Sequence, residues 1–255
     1  MAAASTITMS FRFKQFFVND DKCAMKVGTD GVLLGAWCPI PYTMHNTPYT
    51  ILDVGTGSGL IALMLAQRCP ETQIDAIDID AAAVEQAREN FEHSPFTSHL
   101  SAFNARLQDW SNHQSPITNH KCYDLIVANP PYFQNSLKNP DTGRQTARHT
   151  DTLSYEDLVT HSVRLLKENG QLALILPAEA EKEIKEIATA HKLSLTHITR
   201  VYSKDNKPVR RVLMAFLKSP ITNKQSQIIS NALVLEDEKG GRSAAYSELC
   251  QEFYL

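Results

Sequence analysis

Asn129-Pro130-Pro131-Tyr132 sets a carboxamide, two rigid rings and an aromatic face directly after the apolar run Tyr123 to Ala128. Neighbouring hydrogen-bond acceptors suit one chemical problem in particular. A planar exocyclic amine, such as N6 of adenine, is a poor nucleophile because its lone pair is delocalised into the ring. The Asn129 side-chain oxygen and the Pro130 carbonyl, its direction fixed by the proline rings, can grip the two N–H bonds, localise the lone pair and aim it. As positive charge grows on the nitrogen both bonds strengthen, which is stabilisation of the transition state rather than of the ground state. Tyr132 offers a face for stacking on a flat base. The four residues alone also fit a plain proline turn with a surface tyrosine. Their place after an apolar strand, some 70 residues beyond a glycine-rich turn, favours the chemical reading.

That turn is Asp53-Val54-Gly55-Thr56-Gly57-Ser58-Gly59. Glycines let a backbone bend sharply and approach a ligand closely, and the helix that follows brings partial positive charge. A dinucleotide turn needs GxGxxG. Here the last position is Leu60 and the pattern is GxGxG, which suits a nucleoside cofactor lacking a pyrophosphate. Asp78 stands about 20 residues further on, at the end of the next strand, where an acid bonds the two hydroxyls of a ribose. Asp80 competes for that role but fits better as the cap of a helix beginning at Ala81.

The elements that must position these residues are read from periodicity. Ile51 to Val54, Gln73 to Ile77, Tyr123 to Ala128 and Leu172 to Leu176 are short apolar runs, hence buried strands. Leu60, Leu63 and Met64, then Val84, Ala87 and Phe91, follow helical spacing. Tyr155 to Leu166 forms another helix stripe, with Ser154 and Asp157 as a capping box and Asn169-Gly170 expected to end it. Ile184, Ile187 and Ala188 line a charged helix. Leu195 to Tyr202 and Val212 to Leu217 read as a hairpin around the turn residues Ser203 to Pro208. The tail adds a strand at Ala232 to Leu235, a Gly240-Gly241 turn and a helix with Tyr246, Leu249, Cys250 and Phe253 on one face. This alternation predicts an α/β fold, a mostly parallel sheet with helices on both faces, closed by an antiparallel C-terminal hairpin.

Composition agrees with a folded protein. Of 255 residues, 43% are hydrophobic and 21% charged, so a large core is available and wholesale disorder is excluded. The formal charge of −3 gives no global basic signature, and any contact with nucleic acid must come from local patches. Cys23, Cys38, Cys69, Cys122 and Cys250 show no CxxC spacing, which argues for reduced thiols and against a metal site. No apolar run approaches the roughly 20 residues of a membrane span. Met1 to Ser10 lacks a charged region followed by an apolar stretch. A soluble, cytoplasmic protein without metal, a monomer or weak dimer, is expected.

With these motifs in hand, Asp53 to Gly59, Asp78 and Asn129 to Tyr132 resemble the cofactor and catalytic motifs of class I amino-methyltransferases. Phe13-Lys14-Gln15-Phe16 through Met25-Lys26-Val27-Gly28-Thr29-Asp30-Gly31-Val32-Leu33-Leu34-Gly35 resembles, more specifically, the N-terminal signature of the bacterial tRNA1(Val) adenine-N6-methyltransferases. The resemblance extends to the ending Gln251-Glu252-Phe253-Tyr254-Leu255. It implies a Rossmann-like, seven-stranded sheet, S-adenosyl-L-methionine as cofactor, tRNA as partner and the adenosine 3′ of the anticodon as target. It places Thr29 and Asp30 beside the methionine end of the cofactor, with Asp53, Gly55, Gly57, Asp78, Ile79 and Asn129 also contacting it. It further implies one domain of three parts: 1–49 packing on the cofactor site, 50–220 as the core, 221–255 docked on that core. One position departs from the pattern. Related chains carry an acid after the third strand that contacts the cofactor's adenine, and here the place reads Ala105-Arg106. Asp109, backbone groups or a stacked Arg106 could serve instead.

RNA contacts fall on Arg144, Arg148 and His149 in the long polar stretch after Tyr132, and on Lys204, Lys207, Arg210 and Arg211 around the hairpin. Arg12, Lys14, Lys22 and Lys26 form a third cluster, and an ordinary solvated face is the alternative for each. Rival readings are adenine methylation in ribosomal RNA or DNA, methylation of a protein glutamine amide, a nicotinamide-dependent oxidoreductase and a non-catalytic RNA-binding module. The missing GxGxxG argues against the oxidoreductase, and the intact Asn-Pro-Pro-Tyr against lost catalysis.

Overall fold

A computed structural model describes residues 10–40, 49–112, 122–130, 153–219 and 227–255. Pro131, Tyr132, Arg144, Arg148 and His149 lie outside the described residues. Strands β1 (Phe11–Arg12) and β2 (Phe17–Val18) form a small antiparallel pair, followed by helix α1 (Thr29–Trp37). Then come β3 (Thr50–Val54), α2 (Leu60–Arg68), β4 (Gln73–Asp78), α3 (Ala81–Glu92), β5 (Leu100–Asn104), α4 (Leu107–Trp110) and β6 (Tyr123–Ala128). The chain continues through α5 (Tyr155–Leu165), β7 (Leu166–Pro177), α6 (Glu181–Ala190), β8 (Leu193–Tyr202), β9 (Val209–Lys218), β10 (Ile229–Val234) and α7 (Ala244–Leu249). No helix among the described residues is long and apolar enough to cross a membrane.

One eight-stranded sheet carries the order β10-β8-β9-β7-β6-β3-β4-β5. Among the described strands of this sheet only β9 runs antiparallel to its neighbours, β7 and β8. The tail strand β10 pairs parallel with β8 and extends the expected seven strands to eight. Strand residues alternate between two buried layers, as the period of two demands. Ile51, Leu125, Val127, Ile175, Leu213 and Ala215 face the layer of α1, α2 and α3. Leu52, Val54, Ile126, Ala128, Leu174, Val212 and Met214 face the layer of α4, α5 and α6.

Two local expectations meet different fates. Ser154 caps α5, its Oγ accepting the Asp157 N–H at 3.0 Å. Asn169-Gly170, in contrast, does not end that helix. The helix stops at Leu165, and residues from Leu166 onward join β7 because Leu166 pairs with Tyr123 of β6. Asn169 adopts φ +64° inside this strand, at the register shift between Tyr123 and Leu125. Tertiary pairing has overridden a valid local C-cap signal.

Helix α1 lies close against α2 because Gly31 and Gly35 lack side chains. A Cβ on Gly35 would stand 2.7 Å from the Met64 sulfur and one on Gly31 3.1 Å from Leu60. Arg68 adds a hydrogen bond to the Gly35 carbonyl at 2.8 Å. Trp37 donates to Thr199 Oγ1 at 2.9 Å and ties α1 to β8. The C-terminal tail holds the N-terminal pair: the Lys14 N–H donates to the Phe253 carbonyl at 2.9 Å, and the Phe13 ring stacks on Phe16 and Tyr254.

Candidate active site

The carboxyl ends of the parallel strands line up the chemistry in one row. Register pairs Ala128 with Val54, so Asn129 and Gly55 leave adjacent strands side by side, about 4.8 Å being the usual spacing. Asp78 ends β4 on the far side of Gly55, and Ala105-Arg106 follow β5 beyond it. On the other side of Asn129, Pro177 ends β7 and pairs with Arg211 at the start of β9. Asn129 is half-buried and Pro130 buried.

The glycine turn is built by opposed hydrogen bonds. Gly55 and Thr56 N–H groups both donate to the Ile77 carbonyl, at 2.9 and 3.1 Å, and the Gly57 N–H donates to Asp78 Oδ2 at 2.9 Å. Asp78 Oδ1 accepts the Asp80 N–H at 3.0 Å. Asp80 itself caps α3, accepting from the Ala82 N–H at 2.9 Å, as its position suggested. Asp78 is half-buried with each oxygen held from behind by a backbone amide, which leaves lone pairs for an outside donor. Beside it Ile79 is 59% exposed, a large apolar side chain open to solvent at the edge of the cleft. Arg106 is exposed and precedes α4, while the Ala105 N–H donates to the Asp78 carbonyl.

The glycines divide by what a Cβ would meet. Gly55 (φ +71°) and Gly57 (φ +56°) face open space, with nothing within 4 Å. Their vacant side forms a cradle that fits a ligand lying across the turn. Gly59 (φ +82°) is packed instead: a Cβ would stand 2.5 Å from Phe91 Cε1. Gly59→Ala is therefore expected to destabilise the fold by about 2–4 kcal/mol through overpacking and left-handed strain. A lower denaturant midpoint with an unchanged slope checks this, and a variant as stable as wild type would contradict it.

Asp53 lies on the α2 side of the sheet and is fully buried. Oδ2 accepts from Thr56 Oγ1 at 2.6 Å, while Oδ1 has no hydrogen-bond partner of good geometry among the described residues. Burial pushes its carboxyl up to about 7, the Thr56 hydroxyl and Ala62 amide work against that, and the Asp78 charge adds to it. An unsatisfied buried oxygen under an open glycine cradle fits a ligand that carries positive charge.

Similarity to known proteins agrees with this site. Residues 42–196 match the methyltransferase small domain family. A tRNA1(Val) (adenine(37)-N6)-methyltransferase of Flavobacterium johnsoniae is 44% identical over 245 residues, spanning 96% of this chain and 99% of that protein. A protein of the same name from Parabacteroides distasonis is 45% identical, over 96% and 97% of the two chains. The chain belongs to the tRNA1(Val) (adenine(37)-N6)-methyltransferase family. The fold alone is shared with a predicted O-methyltransferase of Agrobacterium tumefaciens, at a TM-score of 0.65 and 16% identity over 88% and 96% of the chains.

Within this family member the described basic residues of the hairpin separate into two kinds. Lys204, Lys207 and Arg210 are exposed around the β8–β9 turn, Lys204 meeting Glu236 at 3.3 Å on the surface. Arg211 points the other way. Adjacent strand residues face opposite layers, and Arg211, in phase with Leu213 and Ala215, reaches α1, where its Nε donates to Asp30 Oδ2 at 2.9 Å. Asp30 sits half-buried in the first turn of α1 beside the exposed Thr29. The ion pair joins the N-terminal segment to the hairpin at the sheet edge that carries Asn129. No local pattern marks the small β1–β2 pair or the polar side chains of α3 that bind this segment, although Gln86 and Asn90 interrupt its apolar face.

Proposed function

We propose that this chain transfers the methyl group of S-adenosyl-L-methionine to N6 of adenosine 37 in tRNA1(Val). The observation that carries the reading is the adjacency of Asn129-Pro130 and the glycine turn on paired strands, in a chain of this family. The donor supplies an electrophilic methyl sulfonium. Asp78 would accept from its ribose hydroxyls, Ile79 would cover a face of its adenine, and Arg106 stands where the missing acid of the pattern would be. Gly55 and Gly57 give it room, and Asp53 with Thr29 and Asp30 lines the end nearer α1.

Asn129 Oδ1 and the Pro130 carbonyl would grip the target amine, and the roles read from the sequence for Pro131 and Tyr132 are to fix the direction of that carbonyl and to stack on the base. A loop adenosine costs little to extrude into such a site. Gripping both N–H bonds favours the pyramidal amine of the transition state over the planar one. Holding the amine beside the donor supplies the entropic part of the acceleration. As the N–C bond formed, the donor's S–C bond would break to release S-adenosylhomocysteine, and the proton of the then acidic nitrogen would pass to water, so no strong base is needed. A tRNA substrate supports a cytoplasmic location.

Lys204, Lys207 and Arg210, with Arg144 and Arg148, would contact tRNA phosphates, and Arg211 acts through Asp30. Arg210→Glu is expected to weaken tRNA binding and lower the slope of log affinity against log salt by about 1. Arg211→Glu is expected to change that slope less. Equal slopes for wild type and Arg210→Glu would put the RNA elsewhere. The activity itself is tested by incubating the protein with labelled donor and unmodified total tRNA. The expected product is N6-methyladenosine at position 37 of tRNA1(Val). Label in a protein glutamine, in ribosomal RNA or in DNA, with none in tRNA, would overturn the assignment.

A further inference from the structure

Helix α3 carries two polar side chains on a face otherwise made of Ala83, Val84, Ala87 and Phe91. Gln86 and Asn90 are each 1% exposed and one helical turn apart. Burying a carboxamide costs free energy unless its hydrogen bonds are made. Asn90 makes three, all to backbone. Its Oδ1 accepts the Asn19 N–H at 3.0 Å, and its Nδ2 donates to the carbonyls of Asn19 and Ser58, both at 2.8 Å. One N–H and two carbonyls as partners fix which end of the amide is which. Ser58 lies between the last two glycines of the turn. Asn19 begins the segment that leads through Cys23 to α1.

Other bonds dock the same segment on the same helix. The Lys22 N–H donates to Gln86 Oε1 at 3.2 Å, and Lys22 Nζ meets Glu85 and Glu89 at 2.5 and 2.7 Å. Asp20 closes the segment on itself, accepting the Val27 N–H at 2.7 Å and the Cys23 N–H at 3.1 Å through side chain and carbonyl respectively. Cys23 is buried, and burial, then the charges of Asp20 and Asp78, push its thiol up to about 11. The segment therefore sits within electrostatic reach of the acid assigned to the ribose.

We propose that Asn90 is a positioning residue for the methyl donor, a single buried amide that locks the strap of residues 19–28 to the Gly57-Ser58-Gly59 turn so that both walls of the cleft are set together. This rests on the reading of that turn as the cofactor's. Asn90 touches no substrate, and its removal acts on donor affinity rather than on the chemical step.

The test uses the full chain and S-adenosylhomocysteine. Asn90→Ala is expected to raise the calorimetric Kd about tenfold or more and the KM for the donor similarly, with kcat at saturating donor within about threefold of wild type. Gln86→Ala, which removes the strap contact at Lys22 and a bond within α3 to Glu89 but leaves the tie to Ser58, is expected to raise Kd about threefold or less. Hydrogen exchange adds a second readout: in the wild type the ligand protects residues 19–22 and 57–59 together, and in Asn90→Ala protection of 19–22 is lost. Should Asn90→Ala not fold, Asn90→Asp replaces it. That variant keeps the acceptor for Asn19 and sets an oxygen against the Ser58 carbonyl. Wild-type Kd and joint protection in whichever variant folds would overturn the proposal. A wild-type chain that binds no S-adenosylhomocysteine would overturn both this and the cofactor reading, and is thereby told apart.

Discussion

Asn129→Ala is expected to lower kcat on tRNA by about a hundredfold to a thousandfold, with S-adenosylhomocysteine affinity held within about threefold of wild type. The split follows from position. Asn129 leaves β6 at the height where Gly55 leaves β3, so it stands beside the turn without being part of it. The glycine turn is held to Ile77 and Asp78 of β4, and Asp53 to Thr56 of the turn itself. Removing the acceptor deprives the amine of a partner that matters most as charge develops, so the loss falls on kcat rather than on donor binding. Asn129→Asp keeps an acceptor and adds charge, and is expected to retain more activity than alanine. Single-turnover rates with saturating tRNA and donor measure the chemical step. An alanine variant with wild-type single-turnover rate would remove Asn129 from the mechanism.

Much of this site is legible in one dimension because its parts sit at strand ends. Where a buried strand stops and a Gly-rich or Pro-rich segment starts, the next residues must emerge at the carboxyl edge, whatever the remaining fold. Asp53, Gly55, Asp78 and Asn129 are found that way. The capping roles of Asp80 and Ser154 are equally local. Asn169-Gly170 misleads for the opposite reason: the pairing of Leu166 with Tyr123 links residues more than forty positions apart and outweighs a C-cap. Arg211 shows a reading that was available. In a strand, Arg210 and Arg211 cannot both face the same partner, so one cluster of charge had to contain two roles. Asn90 and Gln86 left a weaker trace, polar residues at helical spacing on an apolar stripe. Their partners, Asn19 and Lys22, are 71 and 64 residues away, and nothing in the local pattern names them.

Donor affinity is expected to rise with pH below about 7 and to level off above it, because of Asp53. Its carboxyl is raised from 3.8 to about 7, chiefly by burial. The folded chain thus holds a proton that the unfolded chain has already lost, and stability falls as pH rises from about 4 to about 7, then stays level. A three-unit shift corresponds to about 4 kcal/mol, an upper figure for so buried a group. A donor bearing an ammonium and a sulfonium favours the ionised carboxylate, so binding below pH 7 must expel the proton. Affinity then climbs by up to about tenfold per pH unit. Asp53→Asn removes both effects while keeping the shape. It is expected to melt above wild type at pH 8, by less at pH 5, and to bind the donor weakly with no pH dependence. Calorimetry in buffers of differing ionisation enthalpy counts the released proton directly. A wild-type affinity flat from pH 5.5 to 8, with no proton released, would mean that the charge of Asp53 does not meet the ligand, and the open oxygen beneath the glycine turn would then need another partner.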